Sequence, residues 1–141
     1  MSDASKIHET HPDLAEAVIE QAPDMVIYAD REGHIRIWNA AAEKVFGHAA
    51  AEVLGRSLDV IIPERFRQAH WEAFNRAVES GVTKRAGRAA LTRSMHKNGR
   101  KLYVEMSFGL VKDAAGTVIG CVAIGRDCTE RRLAAQGAGQ A

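Results

Sequence analysis

The chain has 141 residues, the usual length of one domain with its own hydrophobic core. Its 19 lysines and arginines balance 18 aspartates and glutamates, and no basic run stands out, so nucleic-acid binding has no electrostatic support. There is no run of about 18 apolar residues and no signal-peptide pattern at the amino terminus. The composition therefore predicts a protein that neither binds nucleic acid nor spans a membrane.

Two cysteines, Cys121 and Cys128, lie in or beside a strand-like segment. They form neither a CxxC pair nor a disulfide framework, which is typical of proteins in a reducing compartment. We therefore expect a cytoplasmic protein in which both cysteines act as small, at least half-buried hydrophobic side chains.

The first part of the chain predicts a tail, a helix and a hairpin. Residues 1–11 are polar and show no periodicity, so we expect a flexible tail. Residues 12–22 predict an amphipathic helix bounded by prolines. The stretch DMVIYADREGHIRIWN, which starts at Asp24, predicts two strands joined by a turn at residues 30–33.

Helices fill the middle of the predicted fold. Asn39 is a favourable N-cap for a short helix that Gly47 ends, and the stretch AAEVLGRSL, which starts at Ala50, predicts a second short helix closed by Gly55. A longer helix begins after Pro63, because proline is tolerated where a helix starts, and it ends at Gly81.

The remainder of the chain predicts three strands and a final helix. Asn98 and Gly99, between the first two strands, form the strongest hairpin signal in the sequence. Connections of hairpin length imply an antiparallel sheet with the helices gathered on one face, so the predicted fold class is α+β. The predicted segments are strands over about residues 88–96, 101–111 and 118–126, followed by a helical start in 129–141.

A histidine interrupts the apolar face of the long helix. Phe66, His70 and Phe74 recur at steps of four, so His70 is expected to point where the core points. A histidine on such a face is a ligand, a structural side chain that hydrogen-bonds a backbone carbonyl, or an accidental occupant with no particular role. The other histidines are expected at solvated positions: His8, His11, His34, His48 and His96.

Three stretches together resemble the PAS sensor-domain family over roughly residues 14–132. They are AVIEQAPDMVIYADREGHIRIWNAAAEKVFGHAAAEVLGRSL, HKNGRKLYVEMSFGLVKDAAGTVIG and RDCTERR. The resemblance implies a five-stranded antiparallel sheet with short helices and one long helix packed on one face around a small cavity. It also implies a sensor domain over residues 23–128, a C-terminal signalling helix that starts in 129–141, and a homodimer.

No catalytic pattern accompanies this resemblance. The sequence has no Ser/His/Asp set, paired-carboxylate cleft, phosphate loop or metal cluster with ligand spacing. We therefore expect a sensory and signal-transduction module that is not an enzyme. The downstream output domain or protein is not identified by the sequence.

The segment IPERFRQAHWEAFNRAV is similar to the long helix of rhizobial oxygen-sensor kinases of the FixL type. His70 falls at the position of their iron-binding histidine, and Arg76 at that of an arginine that pairs with a haem propionate. Arg88, after Gly87, matches an arginine that reaches bound dioxygen. Met106 and Phe108 match two aliphatic residues of the distal wall. The resemblance thus implies haem b, with His70 as the metal ligand.

Several features depart from this haem pattern or leave other occupants open. Ala73 stands where those relatives have an aromatic residue, and Phe108 is larger than their aliphatic one. A flavin–cysteine adduct is excluded because GRSLDVIIPERF, the equivalent stretch, contains no cysteine. The alternative is a PAS domain that binds a small organic ligand or no cofactor and acts as a dimerisation or protein-interaction module.

Overall fold

The structure is a computed structural model that describes residues 11–83 and 87–140. Its described part confirms the predicted α+β class and the five-stranded antiparallel sheet. The predicted tail over residues 1–11 lies, apart from His11, outside the described residues. In chain order the elements are α1 (Leu14–Gln21), β1 (Met25–Asp30), β2 (Ile35–Trp38), α2 (Ala40–Phe46), α3 (Ala50–Val53), a 3₁₀ helix (Leu58–Ile61), α4 (Glu64–Ser80), β3 (Ala90–Met95), β4 (Lys101–Lys112), β5 (Val118–Asp127) and α5 (Thr129–Gln140).

The first and last strands are neighbours in the centre of the sheet. The strand order is β2-β1-β5-β4-β3, and every neighbouring pair is antiparallel. Met25 at the start of β1 pairs with Gly125 near the end of β5. The end of α1 and the beginning of α5 therefore lie at the same end of the sheet. Asp24 and Arg126 form an ion pair there, with 3.1 Å between Oδ2 and Nη2.

Alternating side chains of β1 separate the core from the outer face of the sheet. Met25, Ile27 and Ala29 are buried, whereas Val26 and Tyr28 between them are only partly buried. This alternation is typical of a strand with one face on the core. The fully buried aliphatic and aromatic side chains of the same core are Ile35, Phe46, Val53, Leu102 and Val104.

The long helix begins and ends where the sequence predicts. α4 follows Pro63 directly, and Gly81 closes it in the left-handed conformation with φ of 74°. The 3₁₀ helix before it was not predicted; Ser57 caps it by accepting a hydrogen bond from the backbone N–H of Asp59 at 3.1 Å. Gly33, in the β1–β2 turn, also has positive φ, and a side chain there would collide with the indole of Trp71.

His48 does not lie at the solvated position expected from the sequence. Its ring packs edge-on against Trp38 with 6.2 Å between ring centroids, and both ring nitrogens are buried without a hydrogen-bond partner among the described residues. The cause is the backbone, because the carbonyl of His48 accepts a hydrogen bond from Trp38 Nε1 at 3.0 Å and holds the residue over the indole. Of the others, His11 is exposed, His34 and His96 are partly exposed, and His8 lies outside the described residues.

The buried side chain of Asn39 joins α1, β1 and α2. Its Oδ1 accepts hydrogen bonds from the backbone N–H of Val26 at 2.9 Å and of Ala42 at 3.1 Å. Its Nδ2 donates to the carbonyls of Ile19 at 2.8 Å and Asp24 at 3.0 Å. The predicted N-cap is therefore confirmed, and the same amide also fixes the end of α1 against the start of β1.

We expect Asn39→Ala to lower the free energy of unfolding by about 2–4 kcal/mol, because it leaves buried backbone groups without partners. Urea unfolding followed by circular dichroism measures the change. Asn75→Ala is the control, since Asn75 is exposed on α4, and it should change stability by no more than about 0.5 kcal/mol. Equal stabilities for the two variants would contradict the proposed role of Asn39.

Candidate functional site

A cavity of about 590 Å³ lies between the sheet and α4. This volume falls within the range of about 300–1,000 Å³ that small-molecule sites occupy. Small side chains of the two central strands make room for it, namely Ala29 of β1 and Cys121 and Ala123 of β5. The opposite wall comes from the 3₁₀ helix and from Phe66, His70 and other residues of α4, so the cavity is largely apolar.

His70 lines this cavity from the middle of α4. Its Nδ1 is buried and has no hydrogen-bond partner among the described residues. The backbone-carbonyl bond that a purely structural histidine would form is thus absent from the described part of the chain. Burial lowers the pKa of His70, and the Asp59 carboxylate opposes that shift more weakly. The imidazole is therefore neutral near pH 7, the form in which histidine binds a metal.

Aromatic packing fixes the orientation of the His70 ring. The Trp71 indole meets it edge-on, with 4.7 Å between centroids and 80° between planes, and the Phe74 ring lies 6.0 Å away. Trp71 is held in turn by a 2.7 Å hydrogen bond from its Nε1 to Asp59 Oδ1. The imidazole is therefore positioned by its neighbours without using its own nitrogens.

The structure brings together three of the five residues that the haem resemblance assigns to the site. Met106 and Phe108 of β4 line the cavity together with His70. Arg76 is exposed on α4 and is not part of the cavity wall. Arg88 is exposed before β3 and is likewise outside the wall. The proposed contacts of these two arginines with a propionate and with dioxygen stay predictions.

The sequence analysis missed the arginine that does line the cavity. Arg93 of β3 contributes to the wall beside Thr92 and Ser94. Its Nε is buried and has no hydrogen-bond partner among the described residues. Its guanidinium carbon lies 5.7 Å from the centroid of the Phe66 ring and 5.5 Å from that of Tyr103. The sequence around Arg93 shows only an arginine among strand-forming residues. Because such an arginine is common in a half-exposed strand, it does not indicate a cavity residue.

The two cysteines act as packing side chains. Cys121 lines the cavity, and burial raises the pKa of its thiol to about 11, so it is not a reactive thiolate near neutral pH. Cys128 is buried at the start of α5. In residues 11–83 and 87–140 no group of three or more His, Cys, Asp or Glu side chains is arranged to hold a metal ion. No helix in the same part of the chain is long and apolar enough to cross a membrane.

The sequence of this chain is similar to a protein family and to two known sensor proteins. A family model described as the PAS fold matches residues 19–133. The oxygen sensor protein DosP of Escherichia coli (strain K12) is 28% identical over 111 residues, which cover 79% of this chain and 14% of DosP. The sensor protein FixL of Bradyrhizobium diazoefficiens is 24% identical over 106 residues, 75% of this chain and 20% of FixL. The chain thus spans a small part of each relative.

Solved structures share the same fold. An RNA-binding light-oxygen-voltage receptor superposes with a TM-score of 0.74 at 26% identity, covering 92% of this chain and 36% of the receptor. The PAS domain of a protein from Colwellia psychrerythraea gives a TM-score of 0.72 at 18% identity, covering 84% of this chain and 98% of that domain. The second similarity shows the fold alone.

We expect His70 to titrate below the ordinary histidine value of about 6.5, and histidine-ring NMR over pH 5–8 measures this midpoint. The unfolded chain then binds more protons than the folded one, so the free energy of unfolding falls as the pH drops below about 6.5. His70→Gln should reduce this loss of stability at low pH. His48→Gln should also reduce it, because burial lowers the pKa of His48 as well. An NMR midpoint at or above 6.5 would contradict the assignment.

Proposed function

The chain belongs to the PAS family, and from this premise we propose that it is a haem-based sensor of a diatomic gas, with His70 as the ligand to iron. A PAS domain is a sensory and regulatory module, so the general function follows from membership of the family. The haem assignment is supported by the resemblance of α4 to oxygen-sensor kinases and by the similarity to an oxygen sensor protein. We also propose that the module has no enzyme activity of its own.

The observation that carries the proposal is the state of His70 in the cavity. A neutral imidazole with a buried, unpartnered Nδ1 lines an apolar chamber of ligand size. Leaving a buried polar atom unpaired costs about 1–3 kcal/mol, so such an atom calls for an occupant that satisfies the histidine. The residues present therefore fit a prosthetic group that binds histidine and is otherwise apolar.

Each residue of the site has a defined task in this proposal. Haem would supply an iron atom that can bind a diatomic gas. His70 would hold the iron, and Trp71 and Phe74 hold the orientation of the imidazole. The side chains of Met106 and Phe108 exclude water from the chamber and limit its width. Phe108 is partly exposed and large, so it favours a small ligand over a bulky one.

Strand β4 offers a route from the cavity to α5. β4 carries Met106 in the cavity wall and, three residues earlier, Tyr103, whose backbone anchors α5. The carbonyl of Tyr103 accepts a hydrogen bond from the N–H of Cys128 at 2.8 Å, and its N–H donates to Thr129 Oγ1 at 2.9 Å. A shift of β4 caused by the occupant would therefore move the first residues of α5.

A homodimer is the second proposal, and exposed apolar side chains favour it. Val18 of α1 is 60% exposed, and Ile124 of β5 is 43% exposed. Leu14 lies one turn before Val18 on α1 and is also exposed, so the helix offers an apolar stripe to a partner. We propose the cytoplasm as the compartment, since Cys121 and Cys128 are both free.

Haem binding is tested by expressing the protein with haem supplied and recording its visible spectrum after gel filtration. We expect a Soret band in the wild type and none in His70→Ala. We expect His34→Ala to keep the band, since His34 lies in the β1–β2 turn outside the cavity. Added imidazole should restore the band to His70→Gly, which a merely structural histidine would not allow. A wild type without a Soret band would refute the haem assignment.

The dimer is tested by light scattering coupled to size exclusion. We expect the wild type to have the mass of two chains, and Val18→Glu to shift the mass toward one chain because it places a charge in the apolar stripe. Glu20→Ala, also exposed on α1, should leave the mass unchanged. A monomeric wild type, or a dimeric Val18→Glu variant, would contradict this interface.

A further inference from the structure

Arg93 is a cation in the cavity wall, and the described residues supply no carboxylate that pairs with it. No residue that lines the cavity is an aspartate or glutamate, and Arg93 forms no ion pair or side-chain hydrogen bond with the described residues. Two carboxylates on elements that border the cavity, in the 3₁₀ helix and in β4, already have partners. Asp59 binds the Trp71 indole and lies 3.9 Å from Arg67 Nε, and Glu105 lies 3.9 Å from Arg131.

Two aromatic rings lie near the guanidinium of Arg93, and its N–H groups form no hydrogen bond with the described residues. Its carbon lies within 6 Å of the Phe66 and Tyr103 ring centroids, a cation–π distance for both. A cation–π contact involves the charge of the guanidinium and does not use its N–H donors in hydrogen bonds. These donors therefore stay available for an acceptor with two oxygens.

Two unsatisfied nitrogens share the cavity. Apart from His48, the buried side-chain nitrogens without a partner in the described part of the chain are His70 Nδ1 and Arg93 Nε. Both residues line the same chamber, whose remaining wall is mostly apolar. The natural complement of such a chamber is a molecule with an apolar body and an anionic, two-oxygen group at one end.

We propose that Arg93 is a carboxylate-binding residue of the cavity and that the occupant is an apolar molecule bearing a carboxylate. The proposal rests on the proposed function only in that the cavity binds a ligand, and it does not require iron. Two sources supply this chemistry, namely a propionate of haem and the carboxylate of a free aliphatic acid. Because Arg93 also contacts Tyr103, whose backbone anchors α5, a bound carboxylate acts directly beside the output helix.

The first arm of the test uses decanoate and decanol, which differ only in the anionic group. Binding to the full chain is measured by calorimetry at neutral pH. We expect the wild type to bind decanoate about tenfold to a hundredfold more tightly than decanol, the usual effect of a charge-assisted hydrogen bond. Arg93→Gln should abolish that preference, and Arg93→Lys should keep part of it because the charge remains.

Arg65→Gln is the matched control. The guanidinium carbon of Arg65 also lies over the Phe66 ring, 4.7 Å from its centroid, but Arg65 is exposed and lies outside the cavity wall. The control removes the same charge and the same kind of ring contact, so it should leave the preference for decanoate intact. Circular dichroism of each variant verifies that it is folded.

The second arm compares haemin with its dimethyl ester, in which both carboxylates are blocked, by titration of the Soret band. The proposal is supported if either arm shows a preference for the carboxylate form that Arg93→Gln removes and Arg65→Gln keeps. The arm that shows the preference identifies whether the carboxylate belongs to haem or to a free aliphatic acid. The proposal is overturned if neither arm shows such a preference, or if Arg93→Gln retains it. A wild type that binds neither form of haemin refutes the haem function alone, and the first arm then decides the role of Arg93.

Discussion

The pairing of the first strand with the last is the constraint on which the site depends. β1 and β5 lie side by side in the centre of the sheet, and their inward positions carry Ala29, Cys121 and Ala123. These small side chains leave the chamber in front of the central strands, whereas the larger core residues pack around it. The same pairing brings the end of α1 and the start of α5 together, where Asp24 meets Arg126. A ligand in the chamber therefore contacts the two strands from which both terminal helices extend.

The histidine and the arginine of the cavity are polar groups that the fold orients by aromatic contacts. Neither His70 Nδ1 nor Arg93 Nε is satisfied by the described residues, and both side chains are held by aromatic rings instead. Unpaired buried groups lower stability, so native proteins keep few of them. Both nitrogens lie in the wall of one cavity, whereas His48 is unpaired against the Trp38 ring outside it, and this difference is the reason for proposing the cavity as a binding site.

Local signals in the sequence predicted the elements well, because the physical causes are local. The cap at Asn39, the proline before α4 and the turn at Asn98 each act within a few residues, and the structure confirms all three. The 3₁₀ helix was missed, since its stability depends on packing under α4. The strand order could not be derived from hairpin lengths, because pairing of β1 with β5 joins segments far apart in the chain, and the family resemblance implied only a five-stranded antiparallel sheet.

The candidate site was predicted only in part, for a similar reason. Helical periodicity placed His70 on the inner face, and the family resemblance added Met106 and Phe108. Arg93 pairs with Tyr103 in the sheet, so strand alternation assigns it to the outer face. Its long side chain nonetheless reaches Phe66, since β3 is an edge strand of the sheet. The length of the arginine side chain and the edge position of β3 thus bring Arg93 to the cavity, although strand alternation predicts that it faces away from it.

The anchoring of α5 on Tyr103 sets the rotational phase of everything that follows it. The hydrogen bonds at Cys128 and Thr129 fix the first turn of α5 relative to the sheet, and an α-helix turns by about 100° per residue. One residue inserted after Thr129 would present a different face of the helix to any partner, while about seven residues, or two turns, would restore the original face. Any fusion of this domain to another protein therefore has to respect helical register as well as linker length.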